Sequence, residues 1–383
     1  MQASNVCPPI AGQSGTIFVA IELSKASWLV VIHSPDRDRM SHHRVTGGDH
    51  AGLVALIESV RARAARALGS VPAVVSCYEA GYDGFWLHRR LTAAGITNFV
   101  FDPSSIAVDQ RARRAKTDRI DGEQTLRTLM AHCRGEPRVV RIVRAPSPEQ
   151  EDARRKSRER DRLVKEQTSH INRIKGLLRL LGIYEANPYR RDWPDWLKEQ
   201  RNWDGQPVPT ELLAELEREH ARLMLVRKQI DELSKAKVTA EAPAAVVQMA
   251  EQTKRLQQLK GLGPVFATTL AHEVFYKDFS NRRQVASYCG LTPSPWQSGR
   301  MDREQGVSKA GNGRARTAAI ELAWLWLRHQ PDSPLSQWFR EHTVKATSRI
   351  RRIAIVAVAR KLIVALWRYL TTGLVPEQAL MKA

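Results

Sequence analysis

The chain has 383 residues, enough for two or three domains with cores of their own. Hydrophobic residues make up 43% and charged residues 26%, an ordinary soluble globular composition, but sixty Lys and Arg against forty Asp and Glu leave a net charge of +20. A field of that sign favours a polyanion, and because the basic residues are spread along the chain rather than gathered in one amphipathic anchor, nucleic acid ranks ahead of an anionic membrane.

Residues 1–15 are polar, lack an apolar signal core and are expected to be a flexible N-terminus. From 16 to 146 short apolar runs alternate with helical patterns. Thr16–Glu22 and Trp28–His33 read as strands separated by a Ser-Lys-Ala-Ser turn, and Arg39–Val45 as a third. Leu53, Leu56, Ile57, Val60, Ala64 and Leu68 carry helical spacing over 51–68. Ala73–Glu79 is a further strand, Phe85–Ala94 a short helix and Asn98–Phe101 a strand. Thr117 is an N-cap for a helix over Asp118–Cys133. This order predicts an α/β sheet domain.

Pro146 and Pro148 mark a boundary, and 147–250 reads as a helical region. Glu149–Leu181 is basic, with ten Lys and Arg against five Asp and Glu over 151–179, and 211–237 repeats the helical spacing. The pair predicts a helical hairpin or coiled coil around an insert at 184–210, where Trp193, Trp196 and Trp203 pack locally or stack on bases. Residues 251–383 read as mostly helical with a loop-rich middle. Leu256–Val274 centres on Lys260-Gly261-Leu262-Gly263-Pro264, 290–312 is rich in Gly, Pro and Ser, and helices follow at Arg314–Arg328 and Arg349–Leu370. The longest apolar stretch, Ile353–Trp367, is broken by Arg360 and Lys361, too short and too charged to span a bilayer. Cys7, Cys77, Cys133 and Cys289 form no CxxC pair, which argues against a zinc site or disulfide framework and fits a reducing cytosol. A cytoplasmic protein without a membrane partner is expected.

Glu22 and Glu79 end strands, while Asp118 and Asp121 are spaced i, i+3 on one helical face. Four carboxylates so arranged suit hard cations, and a metal pair stabilises both attacking and leaving oxygens in phosphodiester displacement. Acids at strand ends and in first helical turns are also commonplace, and Asp118 and Asp121 suit the helix dipole with no metal. The segments Ala20-Ile21-Glu22-Leu23-Ser24-Lys25, Cys77-Tyr78-Glu79-Ala80-Gly81 and Lys116-Thr117-Asp118-Arg119-Ile120-Asp121 resemble the motif blocks of the DEDD transposases of the bacterial insertion-sequence 110 family. The resemblance runs from about residue 16 to the C-terminus and is weakest at 184–210. It implies an RNase H/RuvC-like N-terminal domain whose Glu22, Glu79, Asp118 and Asp121 bind Mg²⁺, with Mn²⁺ as an alternative. The first block of that family usually carries Asp, so Glu22 is a departure that moves its oxygens by one C–C bond.

Gly290-Leu291-Thr292-Pro293-Ser294-Pro295-Trp296-Gln297-Ser298-Gly299-Arg300 and Gly306-Val307-Ser308-Lys309-Ala310-Gly311-Asn312 resemble the second signature of the same transposases. There the serine of the Ser-Gly pair forms a covalent phosphoserine, which implies Ser298 as nucleophile. On residue chemistry alone Ser294 and Ser308 compete with it. A hydroxyl needs an activator, and the metal site of the first domain, in the same or another protomer, is the natural one. Lys260-Gly261-Leu262-Gly263-Pro264 reads equally as a phosphate-binding helix–hairpin–helix or a plain core turn. Lys116, Arg119, Lys309, Arg314 and Arg316, with Arg349, Arg351 and Arg352, are candidates for phosphate neutralisation or solvated faces. By resemblance the protein is an RNA-guided DNA recombinase, working with a structured non-coding guide RNA on donor and target DNA, nucleoid-associated, as dimers assembling to a tetramer. The competing expectations are a carboxylate-only nuclease or junction resolvase, and a catalytically silent nucleic-acid binder.

Overall fold

The computed structural model describes residues 15–106, 117–136, 138–235, 242–298 and 301–382, with the backbone alone at 295–298 and 301–305. The expected flexible segment 1–15 lies outside the described residues except for Gly15. The chain divides into two units, residues 1–146 and 147–383.

In the first unit β1 (Thr16–Glu22), β2 (Ser27–His33), β3 (Ser41–Thr46), β4 (Ala73–Glu79) and β5 (Thr97–Phe101) form one sheet in the order β3-β2-β1-β4-β5. Strands β1, β2 and β3 pair antiparallel, whereas β4 lies parallel to β1 and β5 parallel to β4. The central strands are apolar on both faces and so must be covered on both. One face carries Ile17, Val19, Ile21, Trp28 and Val30 against α1 (His50–Leu68) and α2 (Trp86–Ala93). The other carries Phe18, Ala20, Leu29, Val31, Val75 and Cys77 against Leu126, Leu129 and Cys133 of α3 (Asp118–Cys133). Asp49 caps α1 by accepting from the Gly52 N–H at 2.8 Å, and Gly69, at φ +71°, ends it in the left-handed region.

In the second unit α4 (Pro148–Arg179) starts with a capping box of Ser147 and Gln150. It packs along α6 (Thr210–Lys235) through Leu163, Ile174 and Leu178 against Leu216, Leu223, Val226 and Ile230. Between them α5 (Trp193–Glu199) sits in the insert, where Trp193 is buried and stacks on His220 at 5.2 Å. Local packing therefore accounts for Trp193, while Trp203 remains exposed.

The remaining core is helical. It is built from α7 (Ala244–Gln257), α8 (Pro264–Leu270), α9 (Arg282–Tyr288), α10 (Gly313–His329), α11 (Pro334–Thr343) and α12 (Ser348–Thr372). A single π turn, Ala271–Phe275, follows α8. The loop expected over 290–312 is instead an antiparallel hairpin, β6 (Pro293–Ser298) with β7 (Met301–Val307). Pro293, Pro295 and the nearby glycines mask a short strand pair, and tertiary anchoring at its base supplies what propensity does not. Among the described residues no helix is long and apolar enough to cross a membrane.

Candidate active site

Strand register brings the first two acids together. Ile21 pairs with Tyr78, so Glu22 and Glu79, the next residues, end neighbouring parallel strands side by side. Side chains alternate along a strand, which puts Glu22 on the face of Phe18 and Ala20, and Glu79 on the face of Val75 and Cys77. That is the face covered by α3. The Cys77 thiol agrees: burial, then Cys133, then the charge of Glu79 push it well above its ordinary value, leaving it inert.

Helix α3 carries the other two acids in its first turn. Thr117 caps it by accepting from the Ile120 N–H at 3.3 Å. Gly122 lets it lie close on β2, because a Cβ there would stand 2.8 Å from Val31 Cγ2 and 3.5 Å from Leu29 Cδ2. Leu29 is the pairing partner of Glu22, so Asp121, beside Gly122, lies at the same end of the sheet as the strand-end acids. Asp118 is exposed one turn earlier, and Glu22 and Asp121 are half-buried. Among the described residues no three of His, Cys, Asp or Glu are grouped closely enough to hold a metal ion.

Arg119 is exposed and its Nε lies 3.2 Å from Glu123, which also meets His42 Nε2 at 3.0 Å and Arg127 Nη2 at 3.3 Å. Burial opposes the charge on Glu123, but the bonds from Arg119 and His42 bring its carboxyl below the ordinary value. Lys116 lies outside the described residues.

Ser298 is the last residue of β6, paired with Met301, at the tip of the hairpin. The base is anchored. Ser308 N–H donates to the Thr292 carbonyl at 2.8 Å, and Asn312 N–H to the Tyr288 carbonyl at 2.8 Å. Gly311, at φ +105°, runs so close beneath Tyr288 that any side chain would strike its carbonyl oxygen. Lys309 is exposed, adopts φ +55°, and accepts at its carbonyl from Arg316 Nη1 at 2.8 Å.

Arg314 is not a solvated phosphate arm in this structure. Its Nε donates to Asp161 at 2.7 Å, Nη1 to Glu273 at 2.7 Å, and Nη2 to the Ser157 carbonyl at 2.9 Å. The Lys260–Pro264 turn is likewise engaged. Lys260 N–H donates to the Leu380 carbonyl at 2.9 Å, its own carbonyl accepts from Gln330, and Leu259 and Leu262 are fully buried. Gly261, at φ +93°, packs against His329, and Gly263 caps α8. These contacts tie the turn into the helical core through its backbone and leucines, while Lys260 itself is exposed. Arg349, Arg351 and Arg352 are exposed at the start of α12.

Sequence reasoning passed over two buried acids. Glu219 accepts from Arg222 at 2.6 Å and Arg173 at 3.0 Å, and meets His170 Nδ1 at 2.6 Å. Its signal was present, since it interrupts the stripe Leu216, Leu223, Val226, Ile230 at a stripe position. Glu273 sits in the apolar run after α8 and is 1% exposed.

The first unit thus ends two adjacent inner strands in Glu22 and Glu79, and the second carries a hairpin with Ser298 at the end of its first strand. Comparison with known proteins gives the family. A model described as a transposase matches residues 19–183, and one described as the IS116/IS110/IS902 transposase family matches 253–337. The chain is 48% identical over 376 residues to a putative transposase, y4rJ, of Sinorhizobium fredii, covering 96% of this chain and 95% of the relative. It is 27% identical over 312 residues to a probable family 20 transposase of Pseudomonas aeruginosa, covering 78% and 84%. To the transposase for insertion sequence element IS1111A of Coxiella burnetii it is 28% identical over 240 residues, covering 61% and 62%. The chain belongs to the IS110 family of transposases.

Proposed function

We propose that this transposase moves its insertion sequence by RNA-guided recombination, with the acids of an RNase H/RuvC-like domain and a covalent phosphoserine at Ser298. The observation that carries the reading is the side-by-side ending of β1 and β4 in Glu22 and Glu79 on the face that α3 covers, with Asp118 and Asp121 in the first turn of that helix. The all-oxygen donor set of Glu22, Glu79, Asp118 and Asp121 fits Mg²⁺ or Mn²⁺. Bound there, such an ion would stabilise charge on the oxygens of phosphodiester displacement. The four acids are not gathered into one cage in this structure, so the reading requires their carboxylates to converge when DNA is engaged. Glu22 reaches one bond further than Asp.

The Ser298 hydroxyl attacks phosphorus, a phosphoserine ester forms, and the departing deoxyribose oxygen takes a proton. Reversal of this step by a second strand's hydroxyl rejoins DNA without an external energy source. A net charge of +20 distributed along the chain suits a protein that reads backbone and shape while base pairing to a guide RNA reads sequence. The α4–α6 hairpin supplies the dimer contact, and dimers pair on the synaptic DNA.

The test is a denaturing gel after incubation with element-end DNA and Mg²⁺. A protein–DNA adduct that disappears in Ser298→Ala is the expected result. Cleavage that survives Ser298→Ala would make the protein a carboxylate-only nuclease, and neither product a silent binder. Sequencing RNA that co-purifies from the host tests the guide, and mass measurement on the DNA complex tests the tetramer.

A further inference from the structure

A two-stranded hairpin is marginal by itself, so the place of β6–β7 must come from what holds its base. Both ends of the hairpin converge on one ionic cluster around the buried Glu273 carboxylate. Glu273 lies in the π turn Ala271–Phe275, a widened turn of the kind that recurs at functional sites. Its carboxylate receives the Arg158 fork, Nε to Oε1 at 2.8 Å and Nη2 to Oε2 at 2.9 Å, and Arg314 Nη1 at 2.7 Å. The remaining donor is the Asn312 amide, 3.1 Å from Oε2.

Asn312 connects this cluster to both strands. Its Nδ2 also reaches the Tyr288 hydroxyl at 3.3 Å, its Oδ1 caps α10 by accepting from the Ala315 N–H at 3.1 Å, and its N–H holds the Tyr288 carbonyl. Tyr288 ends α9, which leads through Gly290 into β6. Asn312 follows β7 across Lys309 and Gly311. Arg158 and Asp161, three residues apart on α4, grip Glu273 and Arg314 from outside the hairpin.

We infer that Glu273 is a positioning residue for strand transfer: clamped by Arg158 and Arg314, it holds the Asn312 side chain and through it the base of the hairpin that carries Ser298. The inference rests on the reading of Ser298 as nucleophile. A buried carboxylate held by two guanidiniums through charge-assisted bonds is a geometrically fixed acceptor for the Asn312 amide, and so a footing for the hairpin. A nucleophile misplaced by about 1 Å loses on the order of 10²-fold in rate.

The test uses the full-length protein and element-end DNA. Asn312→Asp keeps the cap of α10 but removes the amide donor and sets a second carboxylate against Glu273. The double variant Glu273→Gln with Asn312→Asp restores a donor–acceptor pair in reverse. Three readouts are taken: the single-turnover rate of adduct formation, DNA affinity, and hydrogen exchange of the β7 amides. For Asn312→Asp the expected result is an adduct rate lower by about 10²-fold, unchanged DNA affinity and faster exchange confined to the hairpin. The double variant is expected to recover much of the rate. Unchanged rate and exchange in Asn312→Asp would overturn the inference, as would rate, affinity and exchange across 147–383 all failing together. A wild type that forms no adduct would instead remove the serine reading, and hairpin exchange would still decide whether Asn312 and Glu273 hold β6–β7.

Discussion

Two sets of carboxylates, one in each unit, are placed in opposite ways. In the first, Glu22 and Glu79 end adjacent strands, and Asp118 and Asp121 open the helix that covers that face of the sheet. In the second, Glu219 and Glu273 are 2% and 1% exposed, each bound by two arginines. A buried acid must be neutralised to be tolerated, and in a chain with an excess of arginine the partner is at hand. An acid at a strand end or in a first helical turn keeps access to solvent and so to an ion or a phosphate. Burial, rather than residue type, separates the structural acids from the candidate catalytic ones.

The largest expected effects test the acids of the first unit. Glu79→Ala and Asp118→Ala should each lower strand cleavage by roughly 10³-fold or more while DNA binding persists, as read by gel cleavage and filter binding. Retained cleavage in either variant would remove that acid from the site and erase half of the contrast.

Next come the structural acids. Glu219→Ala leaves Arg173, Arg222 and His170 converging on nothing, and should cost about 3 kcal/mol in denaturant unfolding. Both arginines are more than half exposed and can turn to water, which keeps the loss at the low end of that mechanism's range. A loss no greater than for a surface Glu→Ala would show that the bonds to Glu219 carry no stability.

Acidification sharpens the comparison further. For both Glu219 and Glu273 burial pushes the carboxyl up, but the surrounding donors more than offset it and hold the folded value at about 2, below the ordinary 4.5. Such groups contribute stability that is complete above about 4.5 and is lost as pH falls through about 2. The tryptophans lie mostly in the second unit, so tryptophan fluorescence during acid titration should report that unit loosening across this window. Glu219→Ala should flatten the dependence, and an unchanged titration would show that its arginine and histidine donors do not link folding to acid.

Two smaller effects concern the first site. Gly122→Val sets a side chain against Val31 and should cost about 1–3 kcal/mol through overpacking. It should also lower cleavage more than DNA affinity, because α3 must back away from the sheet. Glu22→Asp shortens one donor, and a change in cleavage rate of either sign, without loss of stability, would mark position 22 as a working ligand.

Much of the secondary structure is legible in the sequence. β1, β4 and α3 have the bounds that their residues announce, since β-branched runs and the Thr117 cap are local signals. The hairpin at 293–307 is not legible, because its prolines and glycines read as loop and its anchors are distant residues. Arg314 resembles a phosphate arm in the sequence, yet Asp161 and Glu273, remote along the chain, occupy its guanidinium. Glu219 breaks an apolar stripe visibly, whereas nothing near Glu273 announces its partners.

What the sequence by itself determined was periodicity, caps, charge and motif spacing, because these depend on neighbours within a few residues. Only the tertiary structure decided that Glu22 and Glu79 end side by side, that Gly122 lets α3 lie close to them, and that Glu273 and Asn312 meet at the base of the serine hairpin. Each of these is a register or a contact between segments far apart in the chain. Strand pairing and the desolvation of charge set them, and neither has a local signature.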